Sequence, residues 1–147
     1  MNTRNLLVAS LVGGLISTVL VNAPVISLIN LLICAGFWIG PIVAVWIYRR
    51  MGDAPTMGQA LGIGALAGLW HGVIGVALSF VGLAGASGVF RQLQTVLPAQ
   101  DLPNLEAALT GVGAILFNLV GISMDVVFGL AGGLIGGAIF KARQQPA

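Results

Sequence analysis

The chain has 147 residues and a formal net charge of +2, and 58% of its residues are hydrophobic while only 7% are charged. Because a soluble domain has about 25% charged residues, this composition excludes an ordinary soluble fold and predicts a single integral membrane domain. The six Lys and Arg residues are scattered, which excludes a basic nucleic-acid-binding surface, and the single cysteine, Cys34, excludes an intrachain disulfide.

The first two predicted helices cover residues 5–21 and 25–48 and are separated by a very short turn, so they are expected to be antiparallel neighbours. A bilayer core of roughly 30 Å is crossed by about 20 apolar helical residues, and each run is long enough to span it. Pro41 lies inside the second helix, where it removes a backbone donor and clashes with a preceding carbonyl, so we expect a helix kink there. The second helix ends at residues 46–50, whose aromatic and basic side chains are typical of a membrane–water interface.

The third helix is predicted over residues 57–83 and the last over residues 118–140. Between them, residues 87–108 form the largest extramembrane stretch, and their apolar residues recur at the spacing of a short amphipathic helix lying on the membrane surface. An alternative start at residue 103 makes the last helix roughly 57 Å long, about twice the bilayer core. The predicted fold is therefore all-α, an integral membrane bundle of four transmembrane helices with an amphipathic segment between the third and the fourth.

The third and fourth helices carry small residues at every fourth position. This spacing puts the small residues on one face of each helix, where two backbones can approach closely. We therefore expect the two helices to pack tightly on each other through glycines. The predicted packing positions are Gly64, Gly68, Gly72, Gly129, Gly133 and Gly137.

Four crossings place nearly all basic residues on one side of the membrane. Those on this side are Arg4, Arg49, Arg50, Lys141 and Arg143. Only Arg91 falls on the other side, where it is accompanied by two acidic residues. The positive-inside rule then predicts a multi-pass protein of the cell inner (plasma) membrane with both termini in the cytoplasm.

Three polar residues, Asp125, His71 and Asn118, lie within the apolar runs and form a candidate intramembrane polar site. A charge at bilayer depth costs about 2.5–3.5 kcal/mol on insertion scales, so Asp125 is expected to face the bundle interior with a partner. The predicted depths of His71 and Asp125 are compatible with contact. The functional interpretations are a proton relay or axial ligation of a metal tetrapyrrole by the imidazole. The structural interpretation is a pair of buried side chains that hydrogen-bond neighbouring helices.

No catalytic or metal site is predicted, because Asp125 has no second carboxylate beside it in the apolar runs and His71 is the only histidine. We expect no enzyme activity and no resident cofactor. The leading functional prediction is a non-catalytic membrane subunit or scaffold within a larger complex. One alternative is a small homo-oligomeric channel or transporter that uses Asp125 and His71. Another is a membrane protein that binds a pigment, haem or quinone. The expected partners are the lipid bilayer and other membrane subunits or copies of the same chain, with no nucleic acid.

Four segments of the chain carry a family resemblance. They are WIYRR at residues 46–50, the Gly52-Asp53 connector, GIGALAG at residues 62–68 and GGLIGG at residues 132–137. Together they resemble small prokaryotic four-helix membrane proteins of unknown function. The resemblance covers most of the chain and implies the architecture, and it implies no activity.

Overall fold

The computed structural model describes residues 2–22, 35–52, 54–80 and 110–140, together with residues 94, 98, 100, 103, 104 and 106. Its secondary structure within these residues is all-helical. The four helices are α1 (Thr3–Asn22), α2 (Ala35–Arg50), α3 (Met57–Phe80) and α4 (Gly111–Phe140). Among the described helices, α1, α3 and α4 are long and apolar enough to cross a membrane.

The ends of two helices follow from side chains that cap them. The helix α1 begins at Thr3 rather than at residue 5, because Asn2 Oδ1 accepts a hydrogen bond of 3.1 Å from the Arg4 amide. The helix α3 begins after a reciprocal cap. Thr56 Oγ1 accepts from the Gln59 amide at 3.3 Å, and Gln59 Oε1 accepts from the Thr56 amide at 2.9 Å.

The helix α4 starts between the two predicted positions, residue 118 and the alternative residue 103. It begins at Gly111, since the uninterrupted apolar residues that follow continue the helix, while Gly111 has a φ of +53° that breaks the helical path before it. Other predictions lie outside the described residues. These are the first part of the second helix with Cys34, residues 81–83, most of the amphipathic segment 87–108, and the basic residues Arg91, Lys141 and Arg143.

The four helices pack side by side with alternating directions. The most extensive contact joins α3 to α4, while α1 packs on α2 and α3, and α2 packs on α4 and, less extensively, on α3. One end of this array carries Arg49, Arg50, Met57 and Phe140, and it is called the arginine end below. The helix α2 continues through Pro41, which is buried against Gly132 of α4.

On α4, small residues line the interior and large apolar residues point outward. The buried residues of α4 are Asp125 and five glycines, whereas its exposed residues include Val120, Met124, Leu130 and Ile139. The core of a water-soluble helical protein has the opposite pattern, because burial of large apolar side chains drives its folding. The helix α4 is therefore inverted relative to a helix of a soluble bundle.

Glycines bring the backbones of α3 and α4 together. Gly64 lies against the carbonyl of Gly129 and against Gly133, and Gly68 lies against the carbonyl of Asp125. All six glycines predicted from the four-residue spacing lie in this interface. A second small face of α4, which the sequence reasoning missed, packs on α2. There, a Cβ atom added at Gly132 would lie 2.6 Å from the Trp38 carbonyl oxygen.

Candidate functional site

His71 and Asp125 meet inside the helix array. His71 lies in α3, fourteen residues after Met57 and thus roughly 21 Å from the arginine end of a 24-residue helix. Asp125 projects from α4, and its Oδ1 is 3.7 Å from His71 Nε2. Both residues are buried, with exposed fractions of 7% for His71 and 9% for Asp125. The structure thus brings together two of the three polar residues singled out in the sequence.

Glycines of α3 make this contact possible. The Asp125 carbonyl lies directly on Gly68, and a Cβ atom added at Gly72 would lie 3.0 Å from Asp125 Oδ2. Any larger residue at these two positions would push α4 away from α3 and lengthen the distance from the carboxyl group to the imidazole. The glycine spacing on α3 therefore positions the polar pair as well as packing the two helices.

A third polar residue, Thr18 of α1, completes the site on the other side of the imidazole. Thr18 Oγ1 is 3.0 Å from His71 Nδ1, and it is also 2.9 Å from the Gly14 carbonyl oxygen four residues earlier on α1. A hydroxyl has a single hydrogen, and the Gly14 carbonyl can only accept. When Thr18 donates to Gly14, its oxygen is left to accept from His71 Nδ1–H.

This assignment directs Nε2 of His71 toward Asp125. With Nδ1 carrying a proton bonded to Thr18, Nε2 of the neutral imidazole is an acceptor facing the carboxyl group. One proton then has two positions, on the carboxyl group of Asp125 or on Nε2. The distance of 3.7 Å exceeds the usual hydrogen-bond range of about 2.7–3.2 Å, so transfer requires a small side-chain movement or a bridging water.

The Phe37 ring of α2 packs on the imidazole, and Phe128 of α4 packs on Phe37. The edge of Phe37 meets His71 with ring centroids 5.5 Å apart and an interplanar angle of 82°. Phe37 also contacts Phe128 at a centroid distance of 5.5 Å. All four helices therefore contribute a side chain to the site or its wall. An apolar wall of this kind keeps the local dielectric low, which strengthens electrostatic interactions within the polar pair.

The arrangement of His71 does not fit the predicted axial ligation of a metal tetrapyrrole. Such ligation needs one imidazole nitrogen directed at the metal. Here Nδ1 is bonded to Thr18 and Nε2 faces Asp125, so neither nitrogen is directed at an open position. A metal at this site would have to displace one of these two partners.

Asn118 stands apart from the pair. It is half-buried on α4, and its position seven residues before Asp125 puts it roughly 10 Å away along the helix axis. It shares the helix face of Asp125, as its spacing indicates, but it is too far to bond the imidazole. It lies on the side of the site away from the arginine end.

Thr18 and Phe37 were missed by the sequence reasoning. Threonine within a helix commonly bonds the carbonyl four residues earlier, and Thr18 makes that bond as well. The polar residues Ser10, Ser17 and Thr18 stand out within the first apolar run, and all three are buried. This cluster marks the interior face of α1, but it does not identify which helix that face meets.

Comparison of the chain with protein-family models, with curated proteins and with solved structures found no match. Function is therefore inferred from the geometry of the site.

Proposed function

We propose that the protein is a multi-pass integral membrane protein with four transmembrane helices and with both termini in the cytoplasm. The inverted distribution of side chains supports insertion, because large apolar residues on the outside suit lipid and small residues inside suit close helix packing. The orientation is supported by the basic residues. Arg49 and Arg50 close α2 at the same end as the C-terminus of α4, and Lys141 and Arg143 follow α4 in the sequence.

We infer that the protein acts as a small channel or transporter in which the His71–Asp125 pair, with His71 oriented by Thr18, exchanges a proton. The observation that supports this function is the contact of His71 with Asp125 inside an apolar interior. Intramembrane ionisable residues are costly, and where they occur they commonly mark ion or proton pathways. Histidine suits the role because its Nε2 can accept the proton of the Asp125 carboxyl group while Nδ1 stays bonded to Thr18.

The residues on the two sides of the site differ in polarity. Toward the arginine end, α3 and α4 are in backbone contact through Gly64, Gly129 and Gly133, which leaves no room for water between these helices. Toward the opposite end, α4 carries the half-buried Asn118 and α1 ends at the exposed Asn22. Four helices are few to enclose a pore, so we propose that copies of the chain associate to complete the path.

Proton flux into liposomes tests this function. The purified protein is reconstituted with a pH-sensitive dye inside, and a potassium diffusion potential drives proton entry. Asp125→Asn retains a group that donates to Nε2 but has no exchangeable acidic proton, so its flux is expected to fall to the level of protein-free liposomes. Ser123→Ala is the matched control on the same helix, since Ser123 is exposed and its hydroxyl donates to the Leu119 carbonyl one turn earlier. Full flux in Asp125→Asn would refute the relay.

A second candidate is a non-catalytic membrane subunit or scaffold, and the outer surface of α4 favours it. In the most apolar 18-residue stretch of α4, only 6% is buried inside the protein, against 39% for the corresponding stretch of α1 and 33% for that of α3. Lipid or a larger membrane partner can cover this surface. Native mass spectrometry of the protein, gently solubilised from its own membrane, separates the two functions. A defined homo-oligomer supports the channel or transporter, and co-purified larger subunits support the scaffold. The alternative of a pigment-, haem- or quinone-binding protein stays a prediction, and a visible absorbance spectrum of the same sample tests it.

A further inference from the structure

The arginine end contains a cavity between the C-terminal ends of α2 and α4. Its volume is about 360 Å³, and its lining residues are Trp46, Arg49, Arg50 and Phe140. Two helices thus contribute to one concave site that combines two cations with two aromatic rings. This cavity is separate from the Thr18–His71–Asp125 site. The buried hydrophobic cluster that includes Tyr48 and Ala60 lies between the two.

The cations of this cavity are partly ordered, and no carboxylate among the described residues pairs with them. The guanidinium carbon of Arg50 lies 5.2 Å from the centroid of the Trp46 ring, a cation–π contact that fixes its direction. Within the described part of the chain, neither Arg49 nor Arg50 forms an ion pair with a carboxylate. In the sequence, Asp53 follows within the connector, while Lys141 and Arg143 come directly after α4. The end as a whole is therefore positively charged.

We propose that this cavity binds the phosphate headgroup of an anionic phospholipid from the cytoplasmic leaflet. The proposal rests on the membrane insertion and orientation proposed above, and it is independent of proton transfer. A guanidinium group presents several donors in a planar fork that matches phosphate oxygens. Trp46 and Phe140 line the same cavity, and aromatic rings at a membrane–water interface sit at the level of the lipid headgroups. Basic pockets between membrane helices on the cytoplasmic side recognise anionic headgroups in this way.

A simpler interpretation must be distinguished from this one. Arginines in the last turn of a helix interact favourably with its terminal carbonyls, and basic residues at this side of a membrane also set orientation. These roles require no cavity and no particular lipid. They predict that any basic residue at the arginine end contributes equally to attraction for an anionic surface. A binding cavity predicts instead that Arg49 and Arg50 matter more than an arginine elsewhere at that end.

Arg4 provides the matched control. It is exposed near the start of α1, at the same end of the helix array but outside the cavity lining. Arg4→Gln removes the same charge as Arg49→Gln or Arg50→Gln. The full chain in detergent is titrated with phosphatidylglycerol or phosphatidylcholine of identical acyl chains, and the lipid-bound species are counted by native mass spectrometry. Circular dichroism confirms that each variant retains its helical content.

The expected result is one tightly retained phosphatidylglycerol in the unaltered protein and weaker retention of phosphatidylcholine. Phosphatidylglycerol affinity should fall about fivefold with one cavity arginine replaced and about 25-fold with both, while Arg4→Gln leaves it nearly unchanged. Trp46→Leu keeps both charges and should lower the affinity for phosphatidylglycerol, because Arg50 loses the ring that orients it. If the double arginine variant fails to fold, the Trp46→Leu variant and the two single variants still decide the outcome.

Three results would overturn the proposal. Equal retention of the two lipids by the unaltered protein would show that the cavity does not select a charge. Equal losses for Arg4→Gln and Arg50→Gln would show general surface attraction. Displacement of the lipid by excess inorganic phosphate would show a site for the free anion. The failure of membrane insertion itself has a different signature, because the chain would then be recovered in the soluble fraction without detergent, which would overturn both proposals.

Discussion

A single methyl group added at Gly133 tests whether backbone contact between α3 and α4 holds this protein together. The new carbon would lie 2.5 Å from the Ala60 carbonyl oxygen and 3.1 Å from Gly64 Cα, whereas ordinary contacts are 3.4–4 Å. Both neighbours are backbone atoms, which cannot rotate away as a side chain does. Gly133→Ala must therefore separate the two helices by about 1 Å, which forfeits a quarter to a half of the dispersion attraction at each neighbouring contact.

The expected cost follows from two opposing effects. Overpacking of a close-packed interface destabilises by about 1–3 kcal/mol. Alanine also favours the helix over glycine by about 1 kcal/mol, which works in the other direction. The control Gly121→Ala lies on the same helix and has the same helix-forming gain, but among the described residues an added Cβ meets nothing within 4 Å. Gly133→Ala is expected to be about 1–3 kcal/mol less stable than Gly121→Ala, because only overpacking distinguishes them.

The assay is reversible unfolding in mixed micelles with increasing SDS, followed by circular dichroism. The two alanine variants and the unaltered protein are compared at the same protein and lipid concentration. A Gly133→Ala variant as stable as Gly121→Ala would refute the close backbone contact. Gly133→Leu extends the series, since a larger side chain at the same position should unfold earlier still.

Three further predictions concern other parts of the chain. Thr18→Val removes the acceptor of His71 Nδ1 and should destabilise the protein by about 1–3 kcal/mol in the same unfolding assay. The control Ser123→Ala should leave stability nearly unchanged. Equal stability of the two variants would argue against the bond from Thr18 to His71. Thr56→Ala removes the cap of α3 and should cost about 1 kcal/mol, and an unaltered unfolding midpoint would show that the cap contributes little. In a Cys34→Ser background, Ala54→Cys should react with a membrane-impermeant thiol reagent only after cells are permeabilised, and labelling of intact cells would reverse the proposed orientation.

Part of the fold could be predicted because it depends on local pattern. Long apolar runs with few charges predict helices of membrane length, and three of the four described helices have that length and composition. Helix ends were predicted less well, since they depend on single contacts. The helix α1 starts earlier than predicted because Asn2 caps it, and α4 starts at Gly111 because of the positive φ of that residue. Neither start follows from the hydrophobicity of the sequence.

The candidate site shows the same division. The depths of His71 and Asp125 in the membrane could be compared from the sequence, because the number of residues from a helix end gives the distance along the helix axis at about 1.5 Å per residue. Asn118 illustrates the limit, because a shared helix face says nothing about separation along the axis. Thr18 could not be assigned, since its bond to Gly14 is local and its bond to His71 depends on how α1 packs on α3.

The sequence by itself determined the all-helical class and the four-residue glycine period of α3 and α4, because these are properties of a single helix. Only the tertiary structure decided which small face meets which helix. Residues 132–137 contain glycines on two faces, and Gly133 contacts α3 while Gly132 and Gly136 contact α2. A helical period defines directions around one axis, whereas the partner in each direction depends on how all the helices fill space together. That is the physical reason why Thr18, His71 and Asp125 become one site only in the folded chain.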